Sequence, residues 1–357
     1  MKMNSRERVF SVLEGRIPDR VPLLELWVDP KVFQALYPGS SYYEFIEQSD
    51  YYDAVCSFAG VVNPKINWID KSKRISQDKW GARQQFTEEA TPFVIPPVRI
   101  QSEEDLGSYT PPDPNDSAIL SSVRETVNRF KGKKAIIFVG EGVFAPSQYL
   151  RGGLENLLVD YKLNPHLAKK LARIAEEYHV ELYRRVIKEG VEIILLGDDY
   201  AGKTGAFMSP EDFERFILPG FGTVVGEIKN AGGYCIKHTD GNIWKILDMI
   251  VGTGVDALGP LQATAGMDLA LVKKKYNICV MGSIDVDVLI RGSAEEVRLA
   301  TRECIASISP GGRHILSSAN TIPSAVPPEN LKAMVETAKQ WGRYSIDAGD
   351  LSSGAAT

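Results

Sequence analysis

The run VEIILLGDDY, residues 191–200, follows a helix-patterned segment that opens at Asn164-Pro165 and stops at Gly190. Proline just inside a helix start and glycine just past its end are the usual punctuation of helix termini. Between Gly190 and Asp198 the stretch is aliphatic apart from Glu192 at its start, and it has no alternating polar face. It reads as a strand buried on both sides, the pattern of a parallel sheet rather than of a half-exposed antiparallel one. Two adjacent carboxylates then follow directly on an apolar run. That placement is costly unless something uses them.

The same unit recurs along the chain. VPLLELW from Val21, YDAVCSF from Tyr52, KAIIFVG from Lys134, GGYCIKH from Gly232, VDALG from Val255, NICVMG from Asn277 and RHILSS from Arg313 read as further strands, making eight with VEIILLG. Each but the second precedes a plausible helix, and Ser209-Pro210 with Asp212 resembles a capping box that opens one of them. Eight strands alternating with helices predict an α/β fold, a TIM-type (β/α)8 barrel. One connection is too long for a simple barrel unit. It carries SKRISQDKWGARQQF, which alternates like a hairpin, then proline-rich stretches, with Trp68, Trp80 and Phe86 as apolar anchors. We expect an inserted, hairpin-containing segment at about 61–116 after the second strand, in preference to a linker between two domains. A single barrel domain over 1–345 and a flexible tail at 346–357 complete the expected organisation.

Composition limits the function. The 357 residues include 46 acids and 41 Lys or Arg, a net charge of −5 that gives no general attraction for nucleic acid or anionic lipid. A small-molecule partner is the better expectation. The N-terminal segment is charged and helix-patterned rather than signal-like, and no run approaches the roughly 18 apolar residues of a membrane span, so a cytoplasmic protein is expected. Cys56, Cys235, Cys279 and Cys304 are far apart in sequence, as reduced and mostly buried thiols would be.

A barrel of this kind carries its active site at the C-terminal ends of the strands. The residues just past each run are strongly acidic: Glu25 with Trp27, Glu141, Asp198 and Asp199 with Tyr200, and His238 with Asp240; Gln262, Asp285 and 317–320, ending at Asn320, follow the last three strands. Clustered carboxylates need shared protons, a cation or N–H donors. His238 has possible partners for either acid/base work or metal ligation. Asp240-Gly241 has a plainer reading as turn chemistry, with Asp240 capping the helix that follows. His238 has one too, as a satisfied structural donor at a strand end.

Several motifs in order, NSRERVFSVLEGRIPDRVP, LLGDDYAGKTGAFMSPEDF, GGYCIKHTDGN, LQATAGMDL and GGRHILSSANTIPSAVPPENLKAM, resemble the uroporphyrinogen decarboxylase superfamily from about Asn4 to Tyr344. The resemblance implies a barrel with a deep cleft and one of two chemistries, decarboxylation of uroporphyrinogen or methyl transfer involving corrinoid proteins. It is closer to the second branch. The decarboxylases resemble one another in an arginine-rich segment after the first strand, where this chain has Leu26, Trp27, Val28, Asp29 and Pro30. The methyltransferases bind zinc through His-x-Cys after strand five and a further Cys after strand eight. His238 matches the first ligand, while Asp240 and Asn320 stand at the other two.

The reading that follows is a methyltransferase acting on a small methylated compound, with corrinoid supplied by a separate protein partner. His238, Asp240, Asp199 and Glu141 are its expected catalytic residues, His238 and Asp240 also the candidate ligands of a divalent metal such as zinc. Trp27, Glu25, Asp198, Tyr200, Phe144, Gln262 and Asn320 are expected to contact substrate, the aromatics as pocket walls. A homodimer is compatible with this reading. A decarboxylase of a different substrate, and a non-catalytic binding barrel, are the alternatives.

Overall fold

A computed structural model of the chain describes residues 2–58, 67–87, 93–95 and 100–344. The expected tail at 346–357 lies outside the described residues, as do parts of the expected insertion.

The strands in chain order are β1 (Ala54–Phe58), β2 (Asn67–Asp70), β3 (Ile75–Gln77), β4 (Arg83–Gln85), β5 (Phe93–Ile95), β6 (Ala135–Gly140), β7 (Ile193–Leu196), β8 (Ala201–Gly202), β9 (Gly205–Ala206), β10 (Tyr234–Lys237), β11 (Ala257–Leu258), β12 (Cys279–Met281) and β13 (His314–Ile315). Seven form one parallel sheet in the order β1-β6-β7-β10-β11-β12-β13. These are the sequence-predicted runs from the second to the eighth, each strand beside the next in sequence. The first run, VPLLELW, is extended but is no regular strand. Its Leu23 bridges Leu316 in parallel, the Leu24 N–H donates to the Leu316 carbonyl (3.0 Å), and the Leu23 carbonyl accepts from Asp53 N–H (2.7 Å) just before β1. The segment therefore sits between the two ends of the sheet and closes it as the TIM-type barrel expected. Proline at position 22 removes a donor that a regular ladder would use.

Alternation along the strands sorts two apolar layers. Ala54 and Cys56, Ala135 and Ile137, Ile193 and Leu195, Ile236, Ala257, Cys279 with Met281, and Ile315 fill the barrel interior together with Leu24 and Leu26. Val9, Phe10, Val12 and Leu13 of the helix Ser5–Leu13 pack on this inner layer, so the helix plugs the barrel. A buried ion cluster fastens it: Asp53, fully buried, accepts from Arg20 at 2.7 and 2.9 Å and from Arg8 at 3.1 Å. The outer faces of the strands, including Val55, Ile136, Phe138, Ile194, Leu196 and Cys235, meet the surrounding helices. The longest of these, Pro165–Glu189, ends at Gly190 with φ of 114°, as its flanking residues predict.

β2 to β5 form a separate four-stranded antiparallel sheet within the long connection. Trp68 and Phe86 pack with ring centroids 5.4 Å apart, and Trp80 is buried against Tyr178 at 5.0 Å. All four cysteines are unpaired and buried. Among the described residues no helix is long and apolar enough to cross a membrane.

Candidate metal and acid/base site at the barrel mouth

The HTDG turn after β10 builds the site, and each of its four residues has a separate task. The His238 N–H continues the ladder to the Leu196 carbonyl (2.9 Å), which keeps the residue in register with the end of β7. Thr239 is buried, and its hydroxyl accepts the Tyr200 N–H at 3.0 Å, tying the turn to the Asp198-Asp199-Tyr200 segment. Asp240 donates its N–H to Asp199 Oδ1 (2.9 Å) and accepts from Asn320 Nδ2 on Oδ2 (2.9 Å). Gly241 adopts φ of 80°, with an added Cβ falling 2.4 Å from the Ala201 carbonyl oxygen, so only glycine fits. Its N–H donates to Gln262 Oε1 at 3.2 Å. Residues that follow four different strands, β7, β10, β11 and β13, are thus drawn to one place.

Asp199, His238 and Asp240 each present one potential ligand atom, all within 4.8 Å of one another. His238 Nε2 stands 3.8 Å from Asp199 Oδ1, beyond hydrogen-bond distance, and Nδ1 is buried with no hydrogen bond. Burial depresses the His238 pKa, while Asp199 and Asp240 pull it the other way. Burial raises that of Asp240 and Asp199 adds to the rise, with His238 and the Asn320 amide opposing it. A neutral imidazole with an unused lone pair and two adjacent carboxylates is a donor set that fits a divalent cation of borderline to hard character. The helix-cap reading of Asp240 is not what the structure contains. The next helix is Leu247–Gly252, its first turn has no side-chain cap, and the Asp240 carboxylate is bonded to Asn320.

The other sequence-predicted residues lie differently. Glu141 is not part of this set. Its carboxylate accepts from Trp80 Nε1 (3.0 Å), pairs with Lys79 (3.2 Å) and lies 4.0 Å from His179 Nε2. Burial opposes its charge, but Lys79, His179 and the indole N–H outweigh that and hold its pKa below the ordinary value. Asp198 is fully buried and turns its two oxygens to the Gly142 (2.9 Å) and Phe144 (2.8 Å) N–H groups. It organises the backbone after β6, which corrects the expectation of a substrate contact. Glu25 is likewise corrected: only 3% exposed, it takes the N–H and hydroxyl of Ser318, both at 2.7 Å. Burial raises its pKa to about 8, so the carboxyl is mostly protonated at neutral pH. Tyr200 and Phe144 are completely buried, 5.8 Å apart, and belong to the outer core rather than to a pocket wall. Trp27 is half-buried and stacks on Tyr42 at 5.1 Å.

Sequence reading missed Lys237. It is fully buried, and its Nζ donates to the carbonyls of Asp198 (2.6 Å), His238 (2.7 Å) and Leu196 (3.3 Å) while lying 4.1 Å from the Tyr200 ring centroid. Burial lowers its pKa to about 8, against the pull of Asp198 and Asp199. The available signal was a lysine inside the otherwise apolar run YCIK. Lys79 and His179 were missed as well, and nothing in their local sequence links them to Glu141.

The chain is similar to several known proteins. A uroporphyrinogen decarboxylase of Trichodesmium erythraeum is 28% identical over 262 residues, covering 70% of each chain. A methylated-thiol–coenzyme M methyltransferase of Methanosarcina mazei is 26% identical over 223 residues, 62% of this chain and 58% of that one. Among solved structures, a methyltransferase from Methanosarcina mazei superposes with a TM-score of 0.72 over 95% of this chain and 99% of its own, at 15% identity, a likeness of fold alone. The profile of the uroporphyrinogen decarboxylase (URO-D) family matches residues 75–341, from β3 through the HTDG turn to the last helix, and the chain belongs to that family.

Proposed function

We propose that the protein is a methyltransferase that acts on a small methylated compound, with a separate corrinoid protein as methyl carrier. The observation that supports this most is the Asp199, His238 and Asp240 set, whose ligand atoms lie within 4.8 Å of one another at the mouth. Its His238 and Asp240 follow strand five, where by the resemblance methyltransferases of the superfamily hold zinc, and Asp199 joins them from the end of strand four. In such a transfer the bond between methyl carbon and heteroatom breaks, the heteroatom keeps the electron pair, and the carbon passes to a nucleophile. The departing heteroatom then needs a cation or a proton.

The residues present can supply either. A divalent ion held by His238, Asp199 and Asp240 would supply Lewis acidity toward that heteroatom. The chain's own part is to present a neutral imidazole, kept so by burial, and to fix Asp240 through the Asn320 amide so that one carboxylate oxygen stays available. Replacing two thiolates by carboxylate and amide makes the donor set harder, which favours an oxygen or nitrogen leaving group over a thiolate.

A second reading, a decarboxylase, is supported by relatives such as the Trichodesmium enzyme. The side chains around His238 argue against uroporphyrinogen as its substrate. Eight carboxylates call for arginines, and among the described residues the side chains from outside the HTDG turn that bond to it are those of Asp199, Gln262, Asn320 and the buried Lys237, with no arginine. The test is anaerobic mixing of Zn(II)-loaded protein with cob(I)alamin and a panel of aryl methyl ethers, methylamines and methyl thioethers. We expect donor-dependent loss of cob(I)alamin absorbance that His238→Ala abolishes, and no coproporphyrinogen from uroporphyrinogen. Coproporphyrinogen at enzyme-like turnover, with an inert donor panel, would replace this reading by the second.

A further inference from the structure

Lys237 is an ammonium group buried completely in the wall of the barrel, on the outward-facing side of β10. Among the described residues it has no carboxylate partner in hydrogen-bond contact. Asp198 spends its side chain on the Gly142 and Phe144 N–H groups and offers Lys237 only its carbonyl. The three Nζ donors meet three main-chain oxygens, those of Leu196, Asp198 and His238. Two of these oxygens lie just before Asp199 on one strand end, and the third belongs to His238 on the next. At the C-terminal ends of β7 and β10 the ladder stops, and carbonyls that no longer face an N–H need another donor. A methionine would fill the same space without burying a charge, but would leave the Asp198 and His238 oxygens unpaired, while Leu196 would keep the His238 N–H. The face of Tyr200 beneath the ammonium closes its fourth side, and the Tyr200 N–H is itself bonded to Thr239 of the turn.

We propose that Lys237 is a positioning residue: by holding these carbonyls it fixes the spacing of Asp199, His238 and Asp240 on which divalent-cation binding, and hence the transfer, depends. The inference rests on the proposed function for its consequence, while the geometry it concerns stands apart from it.

The test compares metal-free parent, Lys237→Met, Lys237→Gln and His238→Ala in Co(II) titrations followed by visible absorption, with thermal melts and the NMR line of the His238 Cε1 proton. Lys237→Met should bind Co(II) at least tenfold more weakly than the parent and with altered absorption bands, and Lys237→Gln, which returns two N–H donors, should recover part of the affinity. If Lys237→Met does not fold, Lys237→Gln carries the comparison, with affinity between those of the parent and His238→Ala. Variants that melt earlier but keep the parent affinity and spectrum would show a purely structural lysine and overturn the inference. A parent that binds no Co(II) would defeat the metal reading itself. The His238 line then decides: a single sharp line in the parent that broadens or splits without the ammonium supports positioning, and an unchanged line refutes it.

Discussion

Asp240 and Glu25 are both acids at strand ends, yet the structure gives them opposite tasks. Asp240 keeps one oxygen on Asn320 and faces His238 and Asp199, so Asp240→Asn should preserve the fold while removing a charge that helps His238 hold a proton or a cation. We expect a melting temperature within a few degrees of the parent, a lower His238 titration midpoint by NMR, and divalent-ion affinity reduced about tenfold or more. Glu25 is different because burial raises its pKa to about 8. A carboxyl with a raised folded pKa contributes stability that is complete below the unfolded value near 4.5 and is lost as pH rises through about 8. Glu25→Gln keeps an oxygen for the Ser318 N–H and removes the titration. Its advantage over the parent should grow from little at pH 5 to at most on the order of 5 kcal/mol at pH 9, read from thermal melts. An advantage independent of pH would mean that Glu25 is ionised in the folded protein.

The elements most legible in the sequence were those with unbroken apolar runs. β6, β7 and β12 fall inside the predicted runs because a strand buried on both faces leaves no polar position to confuse its reading. VPLLELW failed as a regular strand for a local reason, since its Pro22 lacks an N–H, although its place in the barrel was read correctly. The mouth was only partly legible. Strand-end position identified Asp199, His238, Asp240, Gln262 and Asn320, but it cannot tell which way a side chain turns once the strand ends. Asp198 and Asp199 are neighbours in sequence, and one serves backbone N–H groups while the other faces His238. The HTDG turn itself is testable through Gly241→Ala, whose Cβ would meet a backbone oxygen; a loss of about 2 kcal/mol or more is expected, with weakened ion binding. Glu141 belongs to the seam with the inserted sheet. Trp80→Phe, which loses the N–H bond to Glu141, should speed amide exchange across β3 and β4 and leave divalent-ion affinity at His238 unchanged. Loss of that affinity would mean that the two acidic sets are coupled.

At the scale of the whole molecule, a barrel plugged by the helix Ser5–Leu13 and bearing its acids at the opposite strand ends is a scaffold whose chemistry rests on the residues at its mouth. In this chain the mouth brings together a histidine and two carboxylates, one of them bonded to the Asn320 amide. All four cysteines are buried, and Cys235 and Cys279 lie within strands rather than past their ends. The claim that this set holds a divalent ion is open to direct measurement by zinc-edge X-ray absorption on protein loaded with one equivalent of Zn(II) and passed through gel filtration. The account predicts a first shell of nitrogen and oxygen alone at about 2.0–2.1 Å, with the outer scattering of one imidazole, and loss of the bound ion in His238→Ala. A sulfur shell near 2.3 Å, or a spectrum that His238→Ala leaves unchanged, would contradict it.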